Sequence, residues 1–280
     1  MFERVISARL IDDFKQYLYE EEKSTATIEK YLRDVRKFAS YAKGAPVDKT
    51  VTLSYKEELS KEYAAASANS MIAALNAFLR FAGCSDACVK QLKVQKQPYC
   101  SEEKELTRKE YEHLVFAARS RGNERLAMML QTICGTGIRV SELEFITVEA
   151  VKRGEVRVNC KGKQRVIFIV PKLKKKLIRY ADKRGISHGP VFVTRTGNPM
   201  SRCNIWREMK SLCKETGISP SKVFPHNLRH LFARIFYSIE RDIAKLADIL
   251  GHSSIDTTRI YITTTGAEHR KRMEMMHLIL

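Results

Sequence analysis

The apolar period from Phe2 to Gly83 is helical throughout, and this excludes most folds at once. Phe2, Ile6, Leu10, Phe14 and Leu18 recur every fourth residue, which places them on one face of a helix. A second stripe, Ile28, Leu32, Val35, Phe38 and Ala42, follows Ser24, a residue type that caps helix starts, and Gly44 and Pro46 close it. YKEELSKEYAA and SANSMIAALNAFLRFAG support two further helices, the last ended by Gly83. Four amphipathic helices must bury their stripes against one another, so a compact four-helix bundle is expected. Lys30, Arg33, Arg36 and Lys37 share the exposed face of the second helix with acids, a pattern open to solvent or to DNA.

The stretch KVQKQPYCSEEKELT is polar, contains a proline and has no period, as a linker would. The expected organisation is a helical domain over 1–96, a linker over 97–105 and a second domain over 106–280. The second domain opens at Thr107, with Glu110 three residues on forming a capping box.

Its pattern is mixed. ERLAMMLQTIC reads as a helix stopped by Gly135 and Gly137, and Ser141 with Glu144 caps a short helix, SELEFI. EVRVNC and RVIFIV, joined by KGKQ, read as a β-hairpin. Pro171 suits the first turn of the basic helix KLKKKLIRYADK. GPVFVT reads as another short strand. Ser201 caps CNIWREMKSLCKE, which ends at Gly217. PHNLRHLFARIFY and SIERDIAKLADIL are helices, the latter ended by Gly251, and a last helical pair surrounds Tyr261 and HRKRMEMMHLIL. The fold class is therefore two-domain: an all-α bundle, then a mainly α, α+β domain with a small antiparallel sheet.

Charge narrows the function. Lys and Arg number 50 against 32 Asp and Glu, a formal net charge of +18. Such a surplus repels itself in a compact chain and suits a polyanionic partner, above all nucleic acid. The opening MFERVISARLIDDF carries acids and is not a signal peptide, and no run is long and apolar enough to span a bilayer, so no membrane role is expected. The 7 cysteines include no C-x-x-C pair. Cys84 and Cys88 could share a helix face, but no second ligand pair follows, so zinc is not expected and reduced cytoplasmic thiols are.

Several chemically able residues sit at breaks in the pattern. Arg139 follows two glycines, where its fork could hold two phosphate oxygens or merely decorate a turn. Lys163 lies in the hairpin turn, solvated or reaching into a groove as a mobile acid. His226 and Arg229, three apart after Pro225, face the same side of a helix, as an anion cradle or a packed pair. His230, one position on from Arg229, is expected to point elsewhere. His252 follows Gly251 in a tight corner, with Ser253 and Asp256 capping the next helix, which carries Tyr261. All are donors or cations except the tyrosine hydroxyl, which can attack phosphorus. With no magnesium-type carboxylate cluster, the pattern points to metal-free chemistry on a phosphodiester and to no cofactor.

These words, GTGIRVSEL, the hairpin lysine, HNLRH, LGH and TTRIY, taken in order, resemble the tyrosine recombinase (phage integrase) family over nearly the whole chain. The first part resembles that family's SAM-like core-binding domain, with Ser24, Tyr31 and Phe38 in its pattern. The resemblance implies a site-specific DNA recombinase, of the simple two-domain Xer-like type without an arm-binding domain. Arg139, Arg229 and His252 would bind the nonbridging oxygens of the scissile phosphate, and His226 would assist. Lys163 would protonate the leaving 5′ oxygen and Tyr261 would form a 3′-phosphotyrosine. Glu142 resembles an acid that positions an arginine. Leu231 stands where the family often has Ser or Thr. The implied partner is duplex DNA with short inverted-repeat core sites, clamped between the two domains. The implied assembly is a monomer when free and a tetramer on DNA. There the apolar tail residues Met273, Met276, Ile279 and Leu280 would be lent to a neighbour. A nucleoid-associated cytoplasmic protein is expected. The alternatives are a DNA-binding regulator on the same fold and a type IB topoisomerase.

Overall fold

The computed structural model describes residues 5–94, 102–160, 163–263, 269–270 and 273–276, with the side chains of residues 102, 160 and 163 left out. The chain forms two compact units, Met1–Lys96 and Gln97–Leu280.

The first unit is the expected helical bundle: α1 (Ala8–Glu20), α2 (Thr25–Ala42), α3 (Lys49–Glu62) and α4 (Ala65–Phe81). α2 packs on α1 and α4, and α3 closes over α4. The stripes meet as predicted: Phe14, Leu18, Ile28, Leu32 and Val35 are buried with Phe78, whose ring meets Phe14 edge-on at 5.2 Å. Two boundaries and one cap contact differ. α1 starts at Ala8 because the Ser7 hydroxyl accepts from the Leu10 N–H, and Phe2 lies outside the described residues. Ser24 precedes α2, but its hydroxyl bonds Thr27 Oγ1 at 2.8 Å rather than capping the backbone. α3 starts well before Tyr55, because the Asp48 carboxylate accepts from the Val51 N–H at 2.8 Å and opens the helix there.

In the second unit α5 (Arg108–Ser120) carries the predicted Thr107–Glu110 capping box. α6 (Glu124–Thr136) is its central helix, touched by α5 and by three helices from later in the chain. Next come a 3-10 turn (Val140–Phe145), α7 (Val148–Arg153), β1 (Glu155–Cys160), β2 (Lys163–Phe168) and α8 (Pro171–Lys183). The unit ends with α9 (Arg202–Ser211), α10 (Cys213–Thr216), α11 (Pro225–Glu240), α12 (Ile243–Leu250) and α13 (Ile255–Ile262). β1 and β2 are antiparallel, with Val158 opposite Arg165 and Cys160 opposite Lys163.

The departures have local causes. Lys163 pairs in the ladder, so it is the first strand residue of β2 rather than part of the turn. GPVFVT forms no strand. It makes only the isolated bridges Thr147–Pro190 and Val193–Pro199, because Pro190 has no N–H to give and Gly189 turns the chain at φ +71. Ser141 does not start its helix. The Glu142 carboxylate accepts from the Arg139 N–H instead, so the turn begins after Arg139 and is 3-10. The helix capped by Ser201 tightens at Leu212 into α9 and α10. α11 absorbs residues 238–240, because Arg241 takes a left-handed φ of +55 and Asp242 caps α12. Ser254, not Ser253, caps α13. In the tail, Met273 and Met276 are exposed, while Ile279 and Leu280 lie outside the described residues. No helix among the described residues is long and apolar enough to cross a membrane.

Candidate active site

The end of α12 organises the site. The last carbonyls of a helix have no partner within it and carry the negative end of its dipole. Here three consecutive ones each accept from an arginine. Ile249 O receives Arg165 Nη1 at 2.7 Å, Leu250 O receives Arg229 Nη2 at 2.6 Å, and Gly251 O receives Arg139 Nη2 at 2.9 Å. Arg229 also donates to Gly137 O, the residue that ends α6. Both glycines are required. Gly137 and Gly251 sit at φ +64 and +63. A Cβ on either would come within 2.5 Å of a neighbour, Phe232 Cδ1 for the first and Arg165 Cδ for the second.

Three guanidiniums this close need a counter-charge, and Glu142 supplies one. It is 2% exposed. One oxygen accepts from Arg139 Nη1 at 2.9 Å, while the other pairs with Arg165 and accepts the Arg139 N–H. Burial alone would raise this carboxyl, but those bonds and the two cations outweigh it and hold Glu142 below the usual carboxylate range. Among the described residues, one carboxylate against three guanidiniums leaves the cluster positive. Arg229 is 1% exposed, and burial, then the Arg139 charge, pulls it down to about 10, still a cation at neutral pH.

The histidines are held neutral. His252 Nε2 lies 3.0 Å from Arg229 Nη2, and an arginine can only donate, so that nitrogen accepts. Its Nδ1 therefore carries the hydrogen and gives it to Thr258 Oγ1 at 2.9 Å. Burial and the charges of Arg229 and Arg139 push His252 down to about 4. The same three causes lower His226.

Tyr261 lies on α13 beside these groups. It is 6% exposed, and its hydroxyl is 2.9 Å from His226 Nε2. His230 stacks on its ring, with centroids 4.1 Å apart and planes 16° apart, so the expectation that His230 points away fails. On a helix both i+3 and i+4 share the face of residue i, and His230 is the i+4 partner of His226. An open groove of about 1030 Å³ borders the cluster. Arg139, His226 and Arg229 line one side, and Arg202, Trp206 and Arg207 of α9 the other.

Five of the six predicted side chains thus gather at one place: Arg139, His226, Arg229, His252 and Tyr261. For Lys163 the structure describes only the backbone, at the start of β2. Leu231 is buried in the core, so its role is packing. Sequence reasoning missed Arg165, His230 and Thr258. Arg165 carried a signal, since it shares the inward phase of β2 with Ile167 and Ile169, where an arginine is out of place.

A helical first unit followed by a mainly helical unit with a two-stranded hairpin and a clustered Arg, His and Tyr site is the arrangement expected of a tyrosine recombinase. Residues 104–268 match the phage integrase family, and residues 11–83 match the phage integrase N-terminal SAM-like domain. The chain is 32% identical over 285 residues to the tyrosine recombinase XerA of Pyrococcus horikoshii, across 99% of this chain and 96% of that one. The crystal structure of XerA recombinase is 26% identical, with a TM-score of 0.55 over 97% of this chain and 99% of that one. A lambda integrase (75–356) dimer bound to a COC′ core site is similar in fold, with a TM-score of 0.76 at 19% identity over 93% of this chain and 96% of that one. The chain belongs to the phage integrase family and is a tyrosine recombinase.

Proposed function

We propose that this recombinase cuts and rejoins duplex DNA at specific sites through a covalent 3′-phosphotyrosine at Tyr261. The observation that carries the reading is the hydroxyl of Tyr261, 2.9 Å from a neutral imidazole and on the helix beside buried Arg229. Arg139 and Arg229 take the nonbridging oxygens of the scissile phosphate and stabilise the charge that builds on phosphorus. His252 joins them after giving up its bond from Arg229. Thr258 then donates to Nδ1, and the tautomer carrying hydrogen on Nε2 donates to phosphate. Tyr261 Oη attacks phosphorus and its proton passes to His226 Nε2. The bond to the 5′ oxygen breaks, and Lys163 protonates that oxygen as it leaves. Attack by a partner strand's 5′ hydroxyl reverses the steps and releases the tyrosine. The bond energy stays in the protein–DNA ester throughout, so no nucleotide is consumed.

The +18 charge and the arginines on both walls of the groove support a duplex lying along it. On this reading the protein is a free monomer that assembles as a tetramer on inverted-repeat core sites by lending its tail to a neighbour, and it works at the nucleoid. The division into a DNA-binding helical domain, a linker and a catalytic domain belongs to the same proposal. The test uses a nicked suicide duplex carrying a site mapped by sequencing protein-bound DNA. The native chain traps as a covalent complex, and Tyr261→Phe binds equally but forms none. A complex that persists in the Phe variant sinks the nucleophile assignment. Binding without any adduct in the native chain favours a non-catalytic regulator.

A further inference from the structure

Tyr261 is surrounded by three histidine rings, and the chemistry above employs two of them. His226 meets its hydroxyl, and His252, assigned above to the phosphate, has its ring 4.9 Å from that of Tyr261. His230 has the closest ring contact of the three, face to face at 4.1 Å. Its own ring is 5.0 Å from His226, with the planes 65° apart. One turn of α11 thus offers one ring to the tyrosine's hydroxyl and the next to its face.

Geometry gives that second contact a consequence. A phenol can spin about its own long axis without moving its oxygen. Tilting that axis swings the oxygen off its line to phosphorus. A ring face seated on another ring at van der Waals distance resists spin, which would drive an edge of the phenol into its neighbour, and it resists tilt towards that neighbour as well. Tyr261 also belongs to an apolar cluster with Ala233, Leu246 and Leu250, whose side chains offer it no flat face.

We propose that His230 is a positioning residue, the platform that aims the Tyr261 hydroxyl along the line of attack. This rests on Tyr261 being the nucleophile. The ring acts through its face, and it does so uncharged. Burial, with His226, Arg229, Arg234 and His252 around it, pushes it down to about 4.

Two substitutions separate face from nitrogen. His230→Ala removes the platform, and His230→Phe keeps a planar ring without titratable atoms. An aromatic pair is worth about two- to twelve-fold in a rate that depends on it. With the nicked suicide duplex, His230→Ala forms the covalent complex about two- to twelve-fold more slowly at saturating DNA, with unchanged DNA affinity. His230→Phe recovers most of the native rate across the pH range. Without DNA, the ring signals of labelled Tyr261 move in the Ala variant and largely return in the Phe variant. An Ala variant that traps at the native rate overturns the proposal. So does a Phe variant as slow as Ala, which would assign the role to a ring nitrogen, or Tyr261 signals that ignore the Ala change. Absence of adduct in the native chain is a different failure: it removes the nucleophile reading, while the spectra still judge the platform.

Discussion

Replacing Glu142 by glutamine tests whether one carboxylate holds the arginine cluster together. The carboxylate accepts three hydrogen bonds: Arg139 Nη1 on one oxygen, and the Arg139 N–H and Arg165 Nη2 on the other. A glutamine has one acceptor oxygen. Placed to keep two of those bonds, it turns its NH2 group towards Arg139 Nη1, donor against donor. The substitution also removes the carboxylate that bonds both Arg139 and Arg165, at a site 2% exposed. Breaking a buried pair from one side costs about 3–5 kcal/mol. For a unit the size of Gln97–Leu280, each kcal/mol moves the midpoint by about 2–4 °C, so the melting temperature falls by roughly 6–20 °C. Circular dichroism melts of the full chain at neutral pH measure it. Acidification supplies a second arm. The folded-state pKa of Glu142 is depressed below 4.5, so its contribution is complete above the unfolded value and is lost as pH falls through the folded one. The gap between native and variant must therefore narrow below about pH 4.5. A gap under about 1 kcal/mol at neutral pH, or one that does not narrow in acid, refutes the argument.

Gly137→Ala combines a left-handed backbone cost of about 1–2 kcal/mol with overpacking of about 1–3 kcal/mol against Phe232, and it pushes on the carbonyl that receives Arg229. Destabilisation of about 2–5 kcal/mol in denaturant titrations is expected, and a neutral result would mean that Phe232 moves freely. His230 and His252 are both depressed to about 4 from an ordinary 6.5. Their neutral state therefore favours the folded chain above pH 6.5, and that advantage is lost as pH falls from 6.5 towards 4. Ring signals of these two histidines should titrate only near the acid end, and a midpoint near 6.5 for either would contradict the burial argument.

What could be read from the sequence, and what could not, divides along a physical line. Side-chain periodicity reports faces, so the four stripes of the first unit, the hairpin and α11 were all legible. Caps were legible where a side chain met the nearest backbone N–H, as at Thr107, and were misplaced at Ser141, where a neighbouring carboxylate starts the turn from Arg139 instead. That carboxylate is Glu142, whose partners are Arg139 and an arginine on β2. The motif LGH was read for its histidine. Much of its work is done by atoms that every residue owns, the carbonyls of Leu250 and Gly251, which receive Arg229 and Arg139. A backbone carbonyl leaves no mark in a sequence. What leaves a mark is the conformation that frees it, here the left-handed turn at Gly251, where a Cβ would strike Arg165. A glycine between a helix end and a histidine therefore signals acceptors as much as flexibility. It lets one helix terminus bring three guanidiniums together on its own carbonyls, leaving positive charge beside the groove.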